Sequence, residues 1–184
     1  MDAKDLIEYR QEIEQIKAEA RALVEDLDEA RFNWRPGPDQ WSIEECLGHL
    51  TMVGQWELRA IEEAVERARS RGLTGGGPIV LGAIERFIVG MTRPPIRQKM
   101  PAPRRFCPLH GQPVTAVLPT FLHVQSQFQL QMERAAGLDL ARVKVATPIS
   151  PLLKLSLGAT FAQANAHAIR HLEQARRVRE KLPL

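Results

Sequence analysis

The chain has 184 residues, 44% hydrophobic and 26% charged, enough to bury a core without disulfides or a structural metal and too apolar for wholesale disorder. Aromatic residues are 5%, with Tyr9 the only tyrosine, a composition that suits helices better than a β-sandwich. The formal net charge of +3 is too small to imply a nucleic-acid partner, and two cysteines, Cys46 and Cys107, make no disulfide framework.

The first segment places apolar residues at Leu6, Tyr9, Ile13, Ile16, Ala20, Val24 and Leu27. The steps alternate between three and four, so Asp5–Leu27 reads as a long amphipathic helix. The Pro- and Gly-rich stretch Asn33–Gln40 reads as a loop. Ser42 with Glu45 three residues on forms a capping box, which predicts a second helix from there to about Arg69. Its apolar positions include Ile43, Cys46, Leu47, Leu50, Val53, Ala60, Ile61 and Ala64. Gly75-Gly76-Gly77-Pro78 then breaks the chain, and Leu81–Met91 suggests a short helix. Pro94-Pro95, Pro101, Pro103, Pro108 and Pro113 keep the following stretch extended. A crossover of this length hints at a lid or a partner surface.

A third helix is expected to start between Thr115 and Pro119 and to run to about Ala136, with Gly137 as its stop. Leu118, Leu122, Phe128 and Met132 mark its core face, with Phe121 and Gln125 beside them. The fourth is expected from about Ser156 to Lys181, with Leu157, Phe161, Ala164, Ala168, Leu172, Ala175 and Val178 inward. No segment alternates convincingly as a strand does. The reading is an all-α, four-helix bundle forming one domain over residues 1–184, with one long crossover between the second and third long helices.

The acidic start, Met1-Asp2-Ala3-Lys4-Asp5, lacks the apolar core of a signal peptide. The longest apolar run, Ile79–Met91, is broken by Glu85-Arg86 and falls short of the ~20 residues of a membrane span. A cytoplasmic location, reduced thiols and no membrane partner are expected. Charge is unevenly spread. Residues 1–30 carry ten acids and four bases, whereas Arg86–Met132 has no acid and holds Arg86, Arg93, Arg97, Lys99, Arg104 and Arg105. The favoured reading is a solvated face whose charge meets the acidic first helix; an anion-binding rim is the sharper alternative.

His167 and His171 are spaced i, i+4 and so lie one above the other on one helical face. At 100° per residue they sit about 60° and about 20° from Ala164, bordering the buried stripe. His49 shares a face of the second helix with Cys46, Val53, Trp56 and Ala60. Unpaired imidazoles at a core are costly. The spacing leaves two readings open: a shared metal with open positions, or three separately hydrogen-bonded histidines. His167-Ala168-Ile169-Arg170-His171 lacks the glutamate of the zinc-protease motif, which excludes that class.

Two blocks of sequence carry a resemblance. Phe32-Asn33-Trp34-Arg35-Pro36, Trp41-Ser42-Ile43-Glu44-Glu45 and Gly48-His49-Leu50 resemble the entry to the second helix in the DinB-like superfamily. Leu155-Ser156-Leu157 and His167-Ala168-Ile169-Arg170-His171-Leu172-Glu173-Gln174 resemble its last helix. The resemblance covers roughly residues 5 to 182. Lys99-Met100-Pro101-Ala102-Pro103 also looks like one branch of the family. Members are four-helix bundles often described as metal-dependent hydrolases, with a related branch of bacterial thiol-dependent S-transferases. The resemblance implies metal ligands at His49, His167 and His171.

Three neutral imidazoles would leave a divalent ion its full charge and at least one open position. Zinc or nickel suits such a set first, with iron or manganese also compatible. The expected function is hydrolysis or S-transfer on a small-molecule substrate, with water or a low-molecular-weight thiol as the attacking group. The alternative from another class is a non-catalytic metal-binding or interaction module. No nucleic-acid partner is expected, and a homodimer is compatible with the family. Other candidates weigh less. Glu45 is explained by its cap and Cys46 as a buried small hydrophobe. Gln125 could hydrogen-bond a ligand histidine, and His123 is expected at the surface. Cys107-Pro108-Leu109-His110 offers too few ligands for a site. Trp34, Trp41 and Trp56 are expected to pack the bundle end, with Trp56 a candidate for the pocket wall.

Overall fold

The computed structural model describes residues 4–76, 78–94, 101–150 and 152–183. Arg97, Lys99, Met100, Pro95 and Gly77 lie outside the described residues, and so does that part of the crossover's family resemblance. Four long helices form a bundle: α1 (Lys4–Val24), α3 (Ile43–Ser70), α5 (Val114–Arg134) and α6 (Leu157–Arg179). Two short helices, α2 (Glu29–Phe32) and α4 (Ala83–Thr92), and a 3₁₀ turn at Arg104–Phe106 complete the helical elements among the described residues.

Side-chain ties fix the directions of the long helices. Asn165 donates to the Tyr9 carbonyl and to Glu12, and Arg179 donates to the Ala22 carbonyl, so α1 and α6 run parallel. Arg10 pairs with Glu133, and Gln129 donates to Glu14, so α1 and α5 run antiparallel. Gly54 of α3 faces Val124 and Phe128 of α5, and Arg69 donates to the Arg134 carbonyl, so α3 and α5 are parallel. That last pairing explains the crossover. Two neighbouring helices running the same way cannot be joined by a tight turn, and α3, with 28 residues, is about 42 Å long. The chain must return the length of the bundle before α5 can begin.

The return is anchored at both ends. Near its start Gly75 donates to the Gly137 carbonyl, Ile79 N donates to the Asp5 carboxylate, and Ile79 packs on Gly158. α4 then lies on α6, with Val89 against Ala162 and Ala166. The 3₁₀ turn brings the chain to the N-terminal part of α3. Arg93 pairs with Glu12 at 3.0 Å, which matches the reading that the basic crossover meets the acidic first helix. Arg86 and Arg105 are also occupied structurally, donating to the Leu81 and Pro148 carbonyls.

The apolar stripes of α3 and α6 are buried as their sequences predict, except that Ala60 is only half-buried. Ser42 caps α3 as expected: Glu45 N donates to the serine oxygen at 3.1 Å, and Ser42 N donates to the Glu45 carboxylate at 3.0 Å. Four expectations need correction. The first helix ends at Val24 and not Leu27, because Asp26 adopts φ 61°, a left-handed turn that ends the helical run. α5 starts at Val114, just before the expected window, with Pro119 inside it. Its buried line is Val117, Phe121, Val124, Phe128 and Met132, so Leu118 and Leu122 are only half-buried. A two-stranded sheet was not expected. β1 (Lys144–Ala146) pairs antiparallel with β2 (Lys154–Ser156), with Val145 opposite Leu155. Both residues are buried, but three residues are too few for alternation to be read in sequence.

Candidate metal centre

His49 projects from the second turn of α3, and His167 and His171 from successive turns of α6. The antiparallel packing of α3 on α6 brings the three rings together. Their centroids are 4.7–5.2 Å apart, and one ligand nitrogen from each lies within 4.8 Å of the others. Among the described residues this is the one group of three such side chains able to hold a metal ion. His49 and His171 are buried, and His167 is partly exposed.

Hydrogen bonds decide which nitrogens face inward. The Phe106 carbonyl can only accept, so His49 Nδ1 donates to it at 2.8 Å. His171 Nδ1 likewise faces the Gln174 side-chain oxygen at 3.1 Å. His49 therefore turns a bare Nε2 toward the centre. His49 Nε2 lies 3.3 Å from His167 Nε2. Two nitrogens each about 2.05 Å from one ion, at the tetrahedral angle, are separated by about 3.3 Å. The donor chemistry of the three rings, and the spacing of this pair, suit a small divalent cation.

The electrostatics agree. Burial lowers the pKa of His49, with the Phe106 carbonyl partly opposing it. Burial, then the neighbouring His49 and Arg170, pushes His167 down to about 3. His171 is held well below its ordinary value by burial and the other two rings. All three are neutral near pH 7, which is the ligating form.

Trp41 forms one wall. Its ring stacks on His171 at 5.7 Å and tilts against His49 at 4.8 Å. The sequence offers Trp56 only as a candidate for such a wall; Trp34 and Trp41 both pack against the apolar core. Gln125 is buried, but among the described residues the Nδ1 partners of His49 and His171 are the Phe106 carbonyl and the Gln174 side chain. Gln174, one turn after His171, was legible from its spacing. The Phe106 carbonyl was not, because a backbone acceptor leaves no trace in the side-chain pattern.

The discounted residues fall as read. Burial would raise the Glu45 pKa, but the bidentate Arg35 pair at 2.7 and 2.5 Å and the Ser42 amide outweigh it and hold the carboxyl low. Burial pushes the Cys46 thiol far up, which makes it no nucleophile. His123 is exposed. Cys107 is also exposed, with its thiol near the Ala102 and Pro103 carbonyls, and His110 turns to Glu44 and Glu45 instead.

A sequence model of the family described as the DinB superfamily matches residues 12–175. The chain belongs to the DinB superfamily. The match covers α3 and α5 whole and most of α6, reaches back into α1 of this DinB-superfamily protein, and includes all three histidines. No curated protein and no solved structure matches the chain. No helix among the described residues is long and apolar enough to cross a membrane.

Proposed function

We propose that His49, His167 and His171 hold a divalent cation, zinc or nickel in the first place, with iron or manganese compatible. The centre then serves hydrolysis of, or S-transfer to, a small molecule. The observation that carries this reading is the 3.3 Å approach of the His49 and His167 Nε2 atoms, with the His49 ring locked so that its lone pair points in. A bound divalent ion would supply Lewis acidity toward water or a low-molecular-weight thiol. The chain's own residues do the rest. Phe106 and Gln174 fix two ring tautomers, and Trp41 shields one side from water.

The second reading is a metal-binding module without catalysis. It draws on Glu45, the carboxylate one turn before His49, whose oxygens are occupied by Arg35 and the Ser42 amide and so are unsuited to a base. Elemental analysis of untagged protein tests the centre: near-stoichiometric metal is expected, lost in His167→Ala/His171→Ala. Assays of the same preparation with a panel of thiols, a chromogenic electrophile and ester substrates separate the two readings. Metal-dependent turnover supports the enzyme, and its absence across the panel supports the module.

A further inference from the structure

The acceptor that orients His49 belongs neither to α3 nor to α6. It lies on the crossover, in the turn that ends at Phe106. Whatever holds that turn against α3 therefore also governs the His49 ring. Three contacts do so. The 3₁₀ turn packs on α3, with the Phe106 side chain buried. Pro108 rests on Gly48, where a Cβ would come within 3.0 Å of the proline Cβ, so the bare glycine forms the seat. His110 Nδ1 faces Glu45 Oε2 at 3.6 Å and Glu44 Oε2 at 3.9 Å.

The third contact matters most, because Glu44 has an unusual need. Its side chain is 1% exposed, and neither oxygen has a hydrogen bond of normal geometry. Glu45 is already matched by Arg35 and Ser42. A buried carboxyl needs partners, and the crossover brings two toward Glu44: the Gly111 backbone amide and the His110 side chain. The His110 Nδ1 faces both carboxyl groups, and an imidazole N–H in that position can donate to either. Contact and attraction thus act on one short segment, 106–110, from opposite ends of the same helical turn of α3.

We propose that His110 is a positioning residue for the three-histidine centre. Seated on Glu44 and Glu45, it pins the crossover to α3 and so keeps the Phe106 carbonyl on His49 Nδ1. The consequence for metal affinity rests on the metal-binding reading above; the consequence for the His49 ring does not.

The test uses the full chain with two readouts. One is the zinc dissociation constant, measured against a chromogenic chelator. The other is the His49 tautomer in metal-free protein, from long-range ¹H–¹⁵N imidazole spectra. His110→Ala is expected to weaken zinc about 10-fold or more, the range seen when a ligand's outer partner is lost. It is also expected to abolish the single Nδ1–H tautomer of His49. His110→Asn, which keeps a donor near the carboxylates, recovers most of both. Leu109→Ala, at an exposed neighbour, changes neither. Gly48→Ala, whose Cβ would press on Pro108 at 3.0 Å and displace it by a few tenths of an ångström, is expected to disturb the His49 tautomer in the same direction and serves if His110→Ala does not fold. An unchanged His49 tautomer in His110→Ala overturns the proposal, whatever happens to zinc. Wild-type protein that binds no zinc overturns the metal reading alone, and the tautomer measurement still decides the role of His110.

Discussion

Glu57 lies on α3 about two turns beyond His49, 3% exposed, with its Oε1 buried and unpartnered. Burial pushes its carboxyl from 4.5 up to about 8. The folded protein thus holds a proton that the unfolded chain releases near pH 4.5. Between these values the unfolded state binds fewer protons, so stability falls as pH rises, by up to ~1.4 kcal/mol per unit, and levels off above the folded pKa. The full span is at most about 5 kcal/mol, a large share of a typical domain's stability. Glu57→Gln keeps the shape and removes the titration. Urea unfolding of wild type and variant at intervals from pH 5 to 9 isolates this one group, because Glu44, also raised by burial to about 7, contributes equally to both. The stability difference is expected to shift steadily in favour of Glu57→Gln up to about pH 8 and then to stay constant. A difference that does not change across the range would refute the assignment of Glu57 as a protonated core carboxyl.

Other outcomes follow from single contacts. Gly54→Ala would put a Cβ 2.6 Å from Val124 Cγ1 and 3.2 Å from Phe128 Cε2. Overpacking of ~1–3 kcal/mol is set against a helix-propensity gain of ~1 kcal/mol, a net loss of up to ~2 kcal/mol, so Tm is expected to fall, by up to about 8 °C. Arg35→Ala leaves the Glu45 carboxylate buried without its guanidinium; since Arg35 is 37% exposed, the expected loss is discounted to ~1–3 kcal/mol, read from the urea midpoint. Gln174→Ala removes the acceptor from His171 Nδ1 and is expected to weaken zinc about 10-fold or more by chelator competition, while stability changes by only ~0.5 kcal/mol.

What the sequence reveals depends on how far each signal reaches along the chain. α3 and α6 are long, and their stripes and caps repeat one message over many turns, so both helices and their inward faces are legible before any coordinates. α5 is harder. Val117, Leu118, Phe121, Leu122 and Val124 offer two overlapping apolar lines, and only packing against Gly54 selects the one through Val124. The β1–β2 hairpin is hidden by its brevity. At the centre, residue type and spacing mark His49, His167 and His171 as candidates, while their selection as one ligand set comes from the family resemblance. Trp41 is visible as an aromatic but not as a wall, because nothing local relates it to α6. The Phe106 carbonyl and the seat of Pro108 on Gly48 arise only when a distant crossover folds back, and no pattern in sequence encodes that return.

X-ray absorption at the zinc edge of zinc-loaded protein probes the three-histidine centre most directly. The account predicts three imidazole nitrogens at about 2.0–2.1 Å, falling to one in His167→Ala/His171→Ala. A sulfur shell near 2.3 Å, or a single imidazole in the wild-type protein, would contradict it.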